Sequence, residues 1–209
     1  ECLQIFTGHQ HWVFSIACSP TESLIASASL DGTAKLWDLN TGQCIQTFEG
    51  HHTQLFAIVF SLDGQQVMTG SADRTIKIWD THTGTCLHTL TGHEGWISSL
   101  ALSPDGRWLA SGSVDNTVRL WDLQTLNCQQ VLHKHSQWVL SVAFSPDGQW
   151  LVSSGNDELL HLWNVQTGEW TQTLTPERLY AGMNVTDVIG LTEAQKFTLK
   201  ELGAIELAP

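Results

Sequence analysis

One unit returns along the sequence at a constant spacing of 42 residues, and this repeat constrains the fold more than any other feature. The unit is complete between Gly92 and Asp122, which reads GHEGWISSLALSPDGRWLASGSVDNTVRLWD. Its landmarks recur in register, as His9, His51, His93 and His135, as Asp31, Asp73, Asp115 and Asp157, and as Trp37, Trp79, Trp121 and Trp163. No insertion or deletion interrupts the spacing, so the chain is predicted to be an array of equal structural units.

Each unit contains four short apolar runs separated by turn residues, which is the pattern of an antiparallel meander and not of helices. In the third unit we predict strands a to d at Trp96–Leu102, Trp108–Ser113, Thr117–Asp122 and Cys128–Leu132. The stretch from Ser103 to Gly106 supplies a turn between strands a and b, and Asp115-Asn116 a tight corner between b and c. No strand has a clearly polar face, which predicts blades packed between two neighbours.

The Gly-His and Trp-Asp landmarks identify the chain as a member of the WD-repeat family. This resemblance implies an all-β chain, a segment of a WD-repeat β-propeller with four four-stranded antiparallel blades. The repeats fall at about residues 8–49, 50–91, 92–133 and 134–175. Cys2–Thr7 matches strand d of the later units, so we predict one extra N-terminal d-strand and an excerpt from a longer protein with at least one blade upstream.

Residues 176–209 form a C-terminal tail outside the repeats. Thr192 and Gln195 make a capping pair and Gly203 a stop, which together predict a short helix over about 193–202. Such a helix is too short to be stable alone, so we expect the tail to dock. The stretch from Tyr180 through Ala204 resembles the C-termini of large bacterial, especially cyanobacterial, WD-repeat proteins, and this resemblance implies an upstream ATPase module of the NB-ARC or NACHT type.

The balance of charge argues against two classes of partner. Nine basic residues against twenty-one acidic ones give a formal net charge of −12. Phosphate groups are bound by clustered lysines and arginines, so we expect no nucleic-acid partner and no binding to an anionic membrane. The sequence also has no apolar run long enough to span a membrane.

The cysteines predict free thiols. Cys2, Cys44, Cys86 and Cys128 fall at one repeat position, on successive outer strands, and Cys18 lies in a strand a. Side chains at equivalent positions of successive blades do not converge, and no close Cys-x-x-Cys pair indicates a zinc site. We therefore predict no metal and no cofactor, and a reducing, cytoplasmic location.

Serine, histidine and aspartate recur in every unit, and they could be read as a hydrolase triad. A hydrolase needs one such set, whereas this chain has four, each with a tryptophan. The resemblance implies a structural tetrad of hydrogen bonds, whose donors and acceptors are complementary. We therefore predict no enzymatic activity and four structural tetrads: His9, Ser27, Asp31 and Trp37; His51, Thr69, Asp73 and Trp79; His93, Ser111, Asp115 and Trp121; His135, Ser153, Asp157 and Trp163.

A binding function is then expected at the narrow face of the propeller, where the family places three variable positions per blade. Here the narrow-face set is Trp12, Phe14 and Leu30; Gln54, Phe56 and Ala72; Trp96, Ser98 and Val114; Trp138, Leu140 and Asn156. Exposed aromatic residues are frequent anchors of protein interfaces. The alternative is that the three tryptophans pack between blades. A further ring of strand c residues, Lys35, Lys77, Arg119 and His161, is interpreted as solvated or facing a partner.

Together these features predict a non-enzymatic scaffold or sensor module that binds a protein or peptide through its aromatic narrow face. The alternative is an architectural or oligomerisation module of a larger ATPase-linked signalling protein, without a ligand of its own. Four blades are fewer than the family usually closes into a ring. We therefore expect a homodimer that closes an eight-bladed ring if the chain is isolated, further blades in the parent chain, or a tail that covers the open end.

Overall fold

The structure, a computed structural model, describes residues 4–175. In this range the chain forms sixteen β-strands in four sheets of four. The first two sheets contain β1 Val13–Cys18, β2 Leu24–Ser29, β3 Ala34–Asp38, β4 Cys44–Phe48, β5 Leu55–Phe60, β6 Gln66–Ser71, β7 Ile76–Asp80 and β8 Cys86–Leu90. The last two contain β9 Ile97–Leu102, β10 Trp108–Ser113, β11 Thr117–Asp122, β12 Asn127–His133, β13 Val139–Phe144, β14 Trp150–Gly155, β15 Leu160–Asn164 and β16 Trp170–Leu174.

Every sheet is an antiparallel meander in chain order, so each repeat is one blade. The prediction of an all-β chain of four four-stranded antiparallel blades is confirmed. In the third blade β10 and β11 have the predicted bounds, β9 begins one residue later, and β12 is one residue longer at each end. At the b-c corner Asn116 has a φ of 70°, a left-handed conformation that asparagine tolerates better than most residues.

The core lies between blades rather than within one sheet. Leu36 and Phe48 of the first blade pack with Leu55 and Ile58 of the second in one buried cluster. Two further clusters join the second blade to the third and the third to the fourth in the same way. Each fully buried Leu, Ile or Phe contributes about 1.5–3 kcal/mol, so contact between blades supplies much of the stability.

The first and fourth blades each keep one apolar face uncovered. On the first, Ile16 is 66% exposed, although the equivalent Ile58 of the second blade is only 3% exposed. On the fourth, Leu160 is 38% exposed, whereas the equivalent Ile76 is fully buried. The uncovered face of the first blade has an open apolar groove, which is lined by Phe6, Val13, Ile16, Ile25 and Trp37.

The prediction of an extra N-terminal d-strand is wrong for the part of it that the structure describes, because residues 4–7 form no strand. A strand needs a neighbour to which it can hydrogen-bond, and among residues 4–175 each strand c already pairs with the strand d of its own blade. The segment nevertheless occupies the place of an outer strand. Phe6 packs on Trp37 with ring centroids 5.8 Å apart, the separation of the equivalent pair Phe48 and Trp79.

The chain divides into two units, Glu1–Leu174 and Thr175–Pro209, and all sixteen strands belong to the first. The predicted helix over 193–202 lies outside the described residues. Among residues 4–175 there is no helix that is long and apolar enough to cross a membrane.

Candidate functional site

In the third blade the predicted tetrad is a chain of three short hydrogen bonds. Nδ1 of His93 lies 2.7 Å from Oδ2 of Asp115, and Nε2 lies 2.7 Å from Oγ of Ser111. Nε1 of Trp121 donates to the same Oγ at 2.8 Å. The loop before strand a, strand b, the b-c corner and strand c are thereby tied together.

The structure brings the predicted tetrad residues together in all four blades. The corresponding bonds are 2.7–2.8 Å long in the first and second blades and 2.8–3.0 Å long in the fourth. The four hydroxyl-bearing residues are buried, with exposed fractions of 4%, 0%, 0% and 0% for Ser27, Thr69, Ser111 and Ser153. The repeated geometry holds the corners of each blade in one conformation.

The hydrogen-bond donors and acceptors of a tetrad determine its tautomer. The carboxylate of Asp115 can only accept, so Nδ1 of His93 carries the proton and Nε2 accepts from the Ser111 hydroxyl. Burial alone would raise the pKa of Asp115, but hydrogen bonds from His93, Thr117 and the Glu94 amide outweigh burial and lower the pKa. For His51 burial acts in the other direction: it disfavours the charged imidazolium and lowers the pKa of His51, and this effect outweighs the opposing effect of Asp73. The second-blade tetrad is therefore held as a neutral imidazole beside an ionised carboxylate.

The tetrads do not present a nucleophile to a substrate. Their hydroxyl oxygens are buried and already accept the indole N–H of tryptophan. A nucleophilic hydroxyl must contact the substrate while it is hydrogen-bonded to its base. These buried hydroxyls cannot contact a substrate. This geometry favours the structural interpretation of the Ser-His-Asp sets over the catalytic one.

The strand c ring differs from the prediction at its fourth member. Lys35 and Lys77 are half-buried, and each donates to a strand d threonine at 3.0 Å. His161 is 1% exposed, so its description as solvated or facing a partner is wrong. Its ring turns inward because Nδ1 pairs with Oγ1 of Thr173 at 2.8 Å.

The tryptophans of the narrow-face set lie at the surface. Trp12, Trp96 and Trp138 are 73%, 50% and 54% exposed, so they are not buried between blades. In each blade a backbone hydrogen bond joins two members of the narrow-face set: the residue just before strand a and the residue that precedes the turn aspartate. The amides of Leu30, Ala72, Val114 and Asn156 donate to the carbonyls of Trp12, Gln54, Trp96 and Trp138.

Three aromatic rings of the set form a continuous array across three blades, here called the aromatic strip. Phe14 meets Phe56 edge to face with centroids 5.2 Å apart, and Phe56 stacks on Trp96 at 5.8 Å and 12°. Phe14 is 56% exposed and Trp96 50% exposed. The repeat pattern of the sequence predicts that these residues share one face, but it does not predict that their rings are in contact.

The remaining members of the set have different surroundings. Leu140 and Asn156 of the fourth blade are exposed, as is Gln54 of the second. Ala72 is buried, and the Ser98 hydroxyl is within hydrogen-bond distance of the carbonyls of both Gly112 and Val139, to one of which it can donate, so these two residues contribute less accessible surface. His11, which is not among the residues predicted from the sequence, belongs to the same surface: its ring centroid lies 5.9 Å from that of Trp12, and its Nδ1 accepts a hydrogen bond from the Trp12 amide.

Comparison with known proteins places these observations in a family. The family model described as "Echinoderm microtubule-associated protein second beta-propeller" matches residues 13–180. A 43-residue segment is 42% identical to subunit I of eukaryotic translation initiation factor 3 from Pyricularia oryzae, over 21% of this chain and 13% of the relative. Another is 44% identical over 43 residues to the pre-mRNA-splicing factor PRP46 from Yarrowia lipolytica, over 21% of this chain and 10% of the relative.

A third relative is an uncharacterised WD repeat-containing protein from Nostoc sp., with 61% identity over 33 residues, which are 16% of this chain and 2% of the relative. The aligned segments thus cover only a small fraction of these curated relatives. The family model, in contrast, covers most of the chain and all sixteen strands. The chain belongs to this WD-repeat beta-propeller family.

Proposed function

We propose that the chain is a non-enzymatic scaffold or sensor module that binds a protein or peptide through its narrow face. The observation that carries the proposal is the aromatic strip, in which Phe14 and Trp96 are exposed and Phe56 is half-buried, together with the exposed indoles of Trp12 and Trp138 on the same predicted face. Large aromatic side chains exposed together are costly in water and are typical hot spots of protein interfaces. Relatives named as a translation initiation factor subunit and a pre-mRNA-splicing factor are consistent with such a role.

The chemistry of the face indicates the kind of segment that would bind. Aromatic rings accept aliphatic and aromatic anchors, and their faces also attract lysine and arginine. The net charge of −12 favours a basic partner over an acidic one. We infer a peptide or loop with one or two apolar anchors flanked by basic residues.

The setting of this function is also a proposal. The free thiols of Cys18, Cys44, Cys86 and Cys128 are typical of a reducing compartment, which supports a cytoplasmic location. The resemblance of the tail to bacterial WD-repeat proteins supports a signalling role beside an ATPase of the NB-ARC or NACHT type.

The test is selection of peptides on the whole chain, followed by affinity measurements with variants. Replacing Trp12, Trp96 and Trp138 together by serine should abolish binding and leave the β-sheet circular dichroism unchanged. Trp170→Ser is the matched control, because Trp170 is an exposed tryptophan on the outer strand β16. Binding that survives the triple substitution, or is lost equally in the control, would contradict the proposal.

The architectural alternative is favoured by a different observation, the two uncovered blade faces. Ile16 and Leu160 are exposed where their equivalents in neighbouring blades are buried. In this alternative the main role is to pack against further blades, either of a second copy or of the parent chain. It predicts that substitutions at Ile16 change the oligomeric state and that substitutions in the aromatic strip have no effect on any partner.

A further inference from the structure

Three metal-binding side chains meet in the fourth blade, away from the aromatic strip. One ligand atom from each of His135, Asp157 and His161 lies within 4.8 Å of those of the other two. The two imidazole rings have centroids only 4.4 Å apart, and both histidines are buried. Two imidazoles and one carboxylate are a common ligand set for zinc and related divalent transition metals.

A buried nitrogen without a partner is a second and independent observation. Nδ1 of His161 is bonded to Oγ1 of Thr173, while Nε2 is buried and has no hydrogen-bond partner in the described structure. Buried polar atoms are nearly always paired, so this nitrogen requires an explanation. The lone pair of a neutral imidazole nitrogen is a metal ligand, and a bound cation would satisfy it.

The equivalent position carries a permanent cation in the other three blades, namely Lys35, Lys77 or Arg119. Lys77, for example, donates to Thr89, the counterpart of Thr173. His161 retains the threonine contact but does not supply a fixed charge. A divalent ion would restore positive charge beside the fourth tetrad.

Two other substitutions make Asp157 and His135 more available. In the first three blades a threonine hydroxyl, that of Thr33, Thr75 or Thr117, donates to Oδ1 of the tetrad aspartate at 2.6–2.7 Å. Leu159 replaces it, and the Leu159 amide reaches Oδ1 of Asp157 only at 3.3 Å. Gly155 stands where those blades have serine, and a Cβ there would lie 2.5 Å from Nδ1 of His135 and 2.6 Å from Oδ1 of Asp157.

We propose that His135, Asp157 and His161 bind one divalent transition-metal ion, with Zn²⁺ as the test ion and water completing the coordination. Nε2 of His161, Nδ1 of His135 and a carboxylate oxygen of Asp157 are the ligand atoms. Metal binding at Nδ1 of His135 requires the other neutral tautomer: the proton leaves Nδ1 and, by exchange with solvent, one proton is taken up at Nε2, which then donates to Oγ of Ser153, 2.8 Å away. Lys134, the residue before His135, makes a cation–π contact instead: its Nζ lies 4.1 Å from the centroid of the Trp170 ring.

Titration of the whole chain with Zn²⁺ under reducing conditions tests the proposal, with Co²⁺ as a spectroscopic probe. We expect one ion per chain, a higher melting temperature that a chelator reverses, and a cobalt spectrum without thiolate charge-transfer bands. His161→Lys restores the residue type of the first two blades. Loss of an outer-sphere partner weakens metal affinity by about 10- to 100-fold, so loss of this ligand should weaken it by about 100-fold or more.

His88→Gln is the matched control, because His88 is an exposed histidine of an outer strand and should not alter the affinity. The double variant Gly155→Ser/Leu159→Thr keeps all three ligands, restores the neighbours seen in the other blades, and should weaken binding. It decides the matter if His161→Lys does not fold. The proposal is overturned if Zn²⁺ does not bind, if thiolate bands appear, or if neither variant lowers the affinity.

Discussion

At the residue scale, the same side-chain position has different consequences in different blades. Ile16 and Ile58 are equivalent in the repeat, but only Ile58 has a neighbouring blade to bury it. Tetrad residues, in contrast, bond within their own blade, and their geometry is nearly the same in all four. Interactions within a repeat are therefore constant, and interactions between repeats depend on position in the chain.

The tetrad aspartates should matter more for stability than the aspartates of exposed turns. Asp115→Ala leaves His93 Nδ1, the Glu94 amide and the Thr117 hydroxyl without their acceptor, and should lower the free energy of unfolding by about 1–3 kcal/mol. Asp105→Ala removes an exposed carboxylate and should cost less than about 1 kcal/mol. Urea unfolding measures both, and equal midpoints for the two variants would contradict the prediction.

Acid should destabilise the chain in two stages. The folded state holds the pKa of His51 below its ordinary 6.5, so below about pH 6.5 the unfolded chain binds a proton that the folded chain does not. Asp31, Asp73 and Asp115 also have lowered pKa values, and their contribution is lost as the pH falls below about 4.

The unfolding midpoint in urea, measured from about pH 8 down to about pH 3, tests this prediction. It should be flat above about pH 7 and should fall in both acidic ranges. Replacing the exposed His82 by glutamine should leave the curve unchanged. A midpoint that is constant between about pH 7 and pH 5 would exclude the histidine contribution.

At the scale of strands and blades, the contact between neighbours is close enough to limit side-chain size. A Cβ on Gly70 would lie 2.6 Å from Cγ2 of Ile97 in the next blade. The equivalent residue of the fourth blade, Ser154, lies on the uncovered face and is only half-buried. Small residues in this strand b position therefore set the separation of blades that have a following neighbour.

Gly70→Ala should lower the free energy of unfolding by about 1–3 kcal/mol, because the added methyl group overlaps Ile97. Ser154→Ala is the matched substitution on the open face and should change it by less than about 1 kcal/mol. Thermal unfolding of the two variants is the measurement. If Gly70→Ala is as stable as the wild type, the blades are less tightly packed than the structure indicates.

The sequence predicted best the elements that depend on local spacing. The tetrad and the strands β10 and β11 follow from residues at fixed distances along one repeat. The sequence left the exposure of Trp12 open between two alternatives and predicted His161 wrongly, because both depend on how a side chain turns within the assembled blades. The N-terminal strand was wrong for a related reason, since residues 4–7 match an outer strand in pattern, but within residues 4–175 every strand c already pairs with the strand d of its own blade.

At the scale of the whole molecule, the two open faces need a cover. Each face exposes on the order of several hundred Å² of apolar surface. At about 25 cal/mol per Å², burying one face would contribute about 10 kcal/mol of free energy, which is comparable to the stability of a domain. We predict that the isolated chain forms a two-fold dimer of half-rings, the commonest closed arrangement. Multi-angle light scattering should give twice the chain mass.

Ile16→Asp places a charge in the centre of one open face and should shift the dimer towards monomer. Ile45→Asp is the control, because Ile45 is exposed on an outer strand. A wild-type chain that is monomeric and soluble at micromolar concentration would refute the dimer and leave the tail or an unusual closure to cover the faces.

The uninterrupted spacing of 42 residues has a consequence for how such chains change in length. Deleting any segment of that length joins the first part of one blade to the last part of another, at positions where each side chain already has an equivalent. We expect the new junction to need no compensating substitution, because equivalent contacts recur between successive repeats: the ring centroids of Phe48 and Trp79 and those of Phe6 and Trp37 are both 5.8 Å apart. Unequal recombination can therefore add or remove a blade in one step, and the number of blades can evolve separately from the surface that binds a partner.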